Sequence, residues 1–184
     1  MSNQYYLLAQ LPSFSVTDEK SVLPVTEEYF YDLCSRFLDK KSFEQVRLLS
    51  LTPPLKKVST GSVFLDKWYD SERNLRFALA QIRALRMNKK FEIENESFSP
   101  DVIQAARTAT GMDSPLAAEQ FLNQYRLNLL DSIRPADEFS VDAVYAYGLR
   151  LKLALRMKMF NAEKGMVSYH KIYDSILKGD MGDK

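Results

Sequence analysis

An all-α domain is the architecture this sequence predicts, and three observations predict it. Two long stretches, from about Val63 to Met87 and from about Val141 to Phe160, carry apolar residues at helical spacing and contain no proline. Helix-start signals recur along the chain, each a hydroxyl residue followed by a proline or an acid. No strong strand, sequence repeat or low-complexity tract interrupts the pattern. The expectation is a single multi-helix domain over residues 1–184, built around the long helices at about 63–87 and 141–160, with 180–184 as a frayed tail.

Tyr5 to Leu11 is short, apolar and closed by Pro12, compatible with a strand or with one or two helical turns. Ser13 to Pro24 reads as a loop, its final proline biasing Leu23 away from helix. Thr26 is an N-cap, with Glu27 and Glu28 placed to favour the positive end of the helix dipole. Tyr29, Phe30, Leu33, Phe37 and Leu38 follow at helical spacing to an end near Lys40. Ser42 is the expected cap of a second short helix carrying Phe43, Val46 and Leu49. Thr52 to Gly61, with Pro53 and Pro54, is a breaker segment and a hinge.

In the first long helix Trp68, Leu75 and Ile82 fall seven residues apart, flanked by Phe64, Ala78 and Leu85. That is a coiled-coil-like seam for an antiparallel partner within the domain, weakened by Ser71. Asn88 to Ser99 is polar. Its alternation of Glu92, Glu94 and Glu96 with Phe91 and Ile93 allows a small hairpin arm or a loop. Ser99-Pro100-Asp101 supplies a cap, a proline at the first helical position and an acid, and opens a helix that stops at Gly111. Ser114-Pro115 repeats the signal for a helix whose apolar face is Ala118, Phe121, Leu122, Tyr125 and Leu129, limited by Pro135. Ser140 caps the second long helix, with Asp142 in its first turn, and a last helix runs from about Ala162 to Leu177.

Composition narrows the function classes. Lys and Arg number 25 against 24 Asp and Glu, a net charge of +1 that argues against general binding to nucleic acid or a membrane surface. The first residues have no basic segment of a signal peptide, and no stretch approaches the roughly 20 apolar residues of a membrane span. A cytoplasmic chain is expected, reaching a membrane only through a partner. Cys34, next to Leu33 and near Tyr29 and Phe30, reads as a small buried hydrophobe. One Cys and one His (His170, expected at or near the surface) cannot make a structural zinc set, and no local signature marks Cys34 as a nucleophile. Phosphate loops, dinucleotide glycine patterns and nucleophile elbows are absent from the sequence. No catalytic residue, cofactor or metal ligand is assigned.

Recognition is the remaining possibility. Arg73, Arg76, Arg83 and Arg86 occupy one broad side of the first long helix. They read either as a solvated face, with a Glu72–Arg76 pair and Asp70 within reach of Arg73, or as a cation stripe for acidic partners. Lys152, Arg156 and Lys158 lie on a helix apolar on almost every side, so they must snorkel or pair with acids such as Glu119, Glu138 or Glu163. Gly148 within that helix costs roughly 1 kcal/mol against alanine, which close approach of a neighbouring helix would explain. Tyr145, Tyr147, Tyr169 and Tyr173 read as core or core edge.

Several of these residues also form a recognisable pattern. Its first part is Tyr5-Tyr6-Leu7-Leu8-Ala9-x-Leu11-Pro12, then Trp68 and Glu72 before Leu75-Arg76-x-x-Leu79-Ala80-x-x-Arg83-Ala84. Its second is Pro115-Leu116-x-x-Glu119, then Tyr147-x-Leu149-x-Leu151-x-Leu153-x-x-Arg156 with Phe160 and Gly165. The chain resembles a small uncharacterised family encoded with bacterial V/A-type ATPase operons, remotely similar to the C (d) subunit of rotary ATPases. The resemblance implies a non-catalytic accessory subunit in proton- or sodium-transporting complexes, coupling the membrane rotor ring to the central stalk. Its partners would be ATPase subunits, with no nucleic acid and membrane contact only through them. It would lie in the cytoplasm, peripheral to the inner membrane. Arg73, Arg76, Arg83 and Arg86, with exposed aromatics, become candidate docking residues. The alternative is a free-standing helical adaptor or regulatory interaction domain.

Overall fold

The computed structural model describes residues 3–16, 22–90, 98–160 and 162–180. Among them there are eight helices and no strand. The alternation at 91–96, the tail at 181–184 and part of the loop at 17–21 lie outside the described residues.

Helix α1 (Gln4–Gln10) resolves the first ambiguity in favour of helix, and the Asn3 N–H anchors it by donating to the Phe37 carbonyl at 2.9 Å. Helix α2 (Glu27–Phe37) starts where Thr26 predicts, its hydroxyl accepting from the Tyr29 N–H at 3.2 Å. It stops earlier than expected. Asp39 rather than Ser42 caps α3 (Lys40–Arg47), accepting from the Ser42 N–H at 2.9 Å and from its hydroxyl at 3.0 Å. Ser42 sits three residues into that start, so its N–H is the orphan donor that needs an acceptor.

Helix α4 (Val63–Arg86) begins after Gly61, whose φ of +82° is the left-handed region a glycine enters without strain. The Ser62 hydroxyl accepts from the Leu65 N–H at 3.1 Å. The helix ends on Asn88 at φ 52°, with the Lys89 N–H donating to the Ala84 carbonyl at 2.9 Å. Then follow α5 (Pro100–Gly111), α6 (Pro115–Ser132) and α7 (Val141–Met159). Ser114 and Ser140 cap the last two, accepting from Ala117 at 3.3 Å and Ala143 at 3.2 Å. Helix α8 (Ala162–Asp180) completes the chain.

Helix α7 is the hub, packing against α1, α2, α3, α4 and α6. Two apolar clusters result. The larger joins α1–α3 and α7 with Trp68 and the first half of α4, and takes in Leu127 and Leu130 from α6. The smaller joins Leu75, Ala78 and Leu79 to alanines of α5 and to Leu122. Arg86 at the end of α4 bonds Thr110 at the end of α5, so α5 runs alongside α4 in the same direction. The expected antiparallel seam partner is therefore not the helix packed most closely on α4; α6 runs the opposite way but reaches α4 through side chains, Arg126 on Glu72 and Leu122 in the cluster further along. Trp68 and Leu75 fill the seam as expected, but Leu85 is 68% exposed and Glu72 takes the buried position beside Ser71.

Gly148 is explained by contact. A Cβ there would lie 2.8 Å from Leu49 Cδ1 and 3.1 Å from the Phe30 ring. Glycine lets α2 and the end of α3 press onto the hub.

Candidate protein-docking site

The four arginines do not form one patch. Arg73 donates to the carbonyls of Pro54 at 2.9 Å and Leu55 at 3.3 Å. Arg76 donates to Glu72 Oε1 at 2.9 Å, to the Leu51 carbonyl at 3.5 Å and to Thr52 Oγ1 at 3.4 Å. Arg86 bonds the Thr110 carbonyl, where the unpaired last carbonyls of α5 favour a cation. Arg83 and Arg86 are both exposed, but of the four arginines it is Arg83 that has no hydrogen-bond or ion-pair partner among the described residues. Three of the four thus hold the molecule together, and Arg83 is the candidate docking residue without such a bond among the described residues.

Those bonds belong to a larger pattern along α4. Lys57 pairs with Asp70 at 2.7 Å, in place of the expected Asp70–Arg73 contact. Asp66 accepts from the Thr60 N–H, the Thr60 hydroxyl and the Ser59 hydroxyl, each at 2.8 Å. Burial opposes the Asp66 charge, but these donors outweigh it and hold its carboxyl below the ordinary range. Asp66, Asp70, Arg73 and Arg76 therefore form one polar stripe that fastens the segment from Leu51 to Thr60 along the helix. The segment expected as a hinge is a strap, because each α4 side chain at this spacing meets a backbone, hydroxyl or ammonium group of the passing chain.

Between the two apolar clusters lies a polar layer that sequence periodicity missed. Glu72 is fully buried and receives both arms of Arg126, Nε to Oε2 and Nη2 to Oε1, at 3.0 Å each. Arg126, 5% exposed, also donates to Asn123 Oδ1 at 3.2 Å and approaches Glu119 at 3.7 Å. Arg156 from α7 completes the layer on Glu119. The signal was present: Glu72 falls at i+4 from Trp68, and Arg126 lies midway between Leu122 and Leu130 at the same spacing. Arginine's planar fork matches a carboxylate in two-bond geometry, which makes this pairing a durable way to bury two charges.

On α7, Arg156 pairs with Glu119 as expected, whereas Lys152 finds Glu27 of α2 at 2.6 Å. Glu27 also accepts from the Tyr31 hydroxyl at 3.0 Å. The bond from Lys152 keeps the Glu27 carboxyl below its ordinary range against the opposing effect of burial. Tyr145 and Tyr147 are core-edge residues. The Tyr147 ring stacks on Phe30, its hydroxyl donates to the Pro12 carbonyl at 3.0 Å, and burial pushes its pKa up to about 12. Beside it opens a groove of about 450 Å³ between α1, the segment after it, α6 and α7. Leu8, Leu11, Phe14, Ala143, Ala146 and Tyr147 supply its apolar lining, and the Arg134–Glu138 and Arg150–Asp131 pairs stand at its rim.

Tyr169 and Tyr173 are different. Both are on α8, 58% and 49% exposed, and stack on each other rather than on the core. The expectation of core aromatics fails here because helical spacing identifies an apolar face without saying what covers it. His170 is exposed on the same helix, with its ring edge against Tyr169. Cys34 is fully buried in α2, which pushes its thiol up to about 12. Among the described residues no cluster of His, Cys, Asp or Glu forms a metal-binding group, and no helix is long and apolar enough to cross a membrane. No family model, curated protein or solved structure matches the chain.

Proposed function

We propose that this chain is a non-catalytic accessory subunit of a bacterial V/A-type ATPase, a C/d-subunit-like coupling element between membrane rotor and central stalk. The observation that carries the reading is the sequence pattern at Tyr5–Pro12, Trp68–Ala84, Pro115–Glu119 and Tyr147–Gly165, which resembles the family encoded with such ATPases. Its physical support is the bonding that braces the helices of the body against one another. The strap on α4 and the ion pairs among α2, α4, α6 and α7 suit a part that transmits force without performing chemistry.

Affinity purification of the tagged protein from gently solubilised native membranes tests this reading. ATPase subunits in fixed proportion are the expected result. Recovery without them, from membranes shown to retain intact ATPase, discards it. Arg83→Glu tests the docking face and is cleaner than any change at Arg76, which touches buried Glu72. It should reduce recovery of ATPase subunits with helicity unchanged; unaltered recovery removes Arg83 from the interface. The second reading, a free-standing helical adaptor, is favoured by the exposed apolar face of α8. It predicts a fixed soluble partner and no ATPase subunits.

A further inference from the structure

We propose that the groove beside Tyr147 is a binding site for a small zwitterion with an aromatic body, of the aromatic α-amino acid class. Its volume of about 450 Å³ falls within the range of small-molecule sites. Leu8 and Ala146 give it aliphatic surface, and Phe14, Phe139 and Tyr147 bring three aromatic rings from separate segments of the chain. A single ligand ring buries on the order of 200 Å² when enclosed. A groove of this size takes one such ring with a short polar arm, not the face of a helix.

Each of the three rings is already held by a neighbour. Tyr147 stacks on Phe30 with ring centres 5.6 Å apart and donates its hydroxyl to the Pro12 carbonyl at 3.0 Å. Phe14 meets Tyr147 edge-on at 5.1 Å, and Phe139 stacks on Tyr5 at 5.6 Å. The Phe139 N–H donates to Asp137 Oδ1 at 2.9 Å, which fixes the backbone that carries its ring. A ligand entering between fixed rings avoids the ordering cost of a site that must assemble around it.

The charges around the groove select the polar arm. Arg134 pairs with Glu138 and Arg150 with Asp131, so two cations and two anions line the same site. A lone anion or a lone cation is attracted by one member of each pair and repelled by the other. A carboxylate and an ammonium on one carbon atom satisfy both. Each arginine reaches its acid through Nη2, and a guanidinium has five N–H donors, so donors remain for a ligand carboxylate. The ligand ammonium finds Asp131 and Glu138, both more than half exposed. Exposed ion pairs contribute little to stability, so sharing their members with a ligand costs the fold little. The site stands independently of the ATPase reading.

Isothermal titration calorimetry on the full chain tests the proposal with four probes that share one ring system: L-tryptophan, tryptamine, 3-indolepropionate and indole. L-tryptophan should bind at least tenfold tighter than tryptamine, which lacks the carboxylate, and than 3-indolepropionate, which lacks the ammonium. Replacing both cations, Arg134→Gln with Arg150→Gln, should bring L-tryptophan down to the affinity of tryptamine. Replacing both acids, Asp131→Asn with Glu138→Gln, should bring it down to that of 3-indolepropionate. Ala146→Leu fills the floor and should abolish binding of all four, with helicity unchanged by circular dichroism. Absence of saturable binding by any probe overturns the proposal, as does L-tryptophan binding that survives Ala146→Leu. Equal affinity for all four would reduce the groove to an apolar surface. Equal affinity for L-tryptophan and 3-indolepropionate would make it a simple anion site. Either result overturns recognition of a zwitterion.

Discussion

The residue that most constrains this molecule is Glu72, a carboxylate with no solvent exposure placed in the core seam of its longest helix. It is tolerated because Arg126 meets both oxygens and Arg76 adds a third bond. Removing one member should therefore cost far more than removing both. Arg126→Met leaves Glu72 with Arg76 alone and should lower stability by about 3–5 kcal/mol in denaturant unfolding. Adding Glu72→Leu should recover most of that loss, since well-packed apolar pairs replace buried ion pairs at little net cost. A loss below about 1 kcal/mol for Arg126→Met would mean that water solvates the abandoned carboxylate. Gly148 gives a second test. Alanine there gains about 1 kcal/mol of helix propensity, yet its methyl meets Leu49 and the buried Phe30 ring at the cost of about 1–3 kcal/mol of overpacking. Leu49 ends in a methyl that can yield, whereas the Phe30 ring is buried against α7 and stacked on Tyr147. A net loss near 1 kcal/mol is expected, and a more stable variant would show that the α2–α7 contact has slack.

At the scale of elements, the polar layer divides what one core would otherwise join. Among the described residues helix α5 packs chiefly on α4 and α6, through a cluster rich in small side chains, while α7 is braced by five helices. Amides of α5 should therefore exchange with solvent through a lower-energy opening than those of α7, in native-state hydrogen exchange. Equal protection of the two would mean that the layer does not separate them. Sequence made much of this visible. Thr26, Ser114 and Ser140 announced their helices because a hydroxyl before an apolar-periodic run has one common use, and Gly148 announced a close approach. Sequence could not weigh Asp39 against Ser42 as a cap, because both residue types serve and three positions separate them. Periodicity also treats charge as surface, which hid Glu72 and Arg126. The arginine stripe was legible as a stripe, but not as a strap-binding stripe, because its acceptors are mostly main-chain carbonyls that carry no sequence signature. Nor does spacing reveal whether a face is covered, so α8 read like any other amphipathic helix.

Across the whole molecule, four carboxylates whose pKa values are lowered make bonds that cap or join elements, and they set the response to acid. Glu27 binds Lys152 across α2 and α7, Asp39 caps α3, Asp66 holds the strap, and Asp101 at the start of α5 accepts from Tyr125 of α6. Each lies below its ordinary value in the folded chain, so the unfolded chain takes up protons first as pH falls. Their stabilisation is complete above the ordinary Asp and Glu values of 3.8 and 4.5 and is lost as pH falls through the lowered ones. At the other extreme, burial leads the causes that raise Tyr125 and Tyr147 to about 12, so the folded state keeps them neutral where the unfolded chain would ionise. That contribution is complete below the ordinary value of 10 and disappears between 10 and about 12. Stability measured by denaturant midpoints should thus form a plateau through neutral pH with a fall on each side. Glu27→Gln distinguishes the acid limb from general charge repulsion. The variant should be less stable on the plateau, because Lys152 keeps its charge in a half-buried site without an opposite partner. Its midpoint should then fall less steeply with acid than the wild type's, since one of the linked protonations has been removed. Parallel acid limbs for the two proteins would assign the fall to net charge alone and leave the Glu27–Lys152 bridge without a part in it.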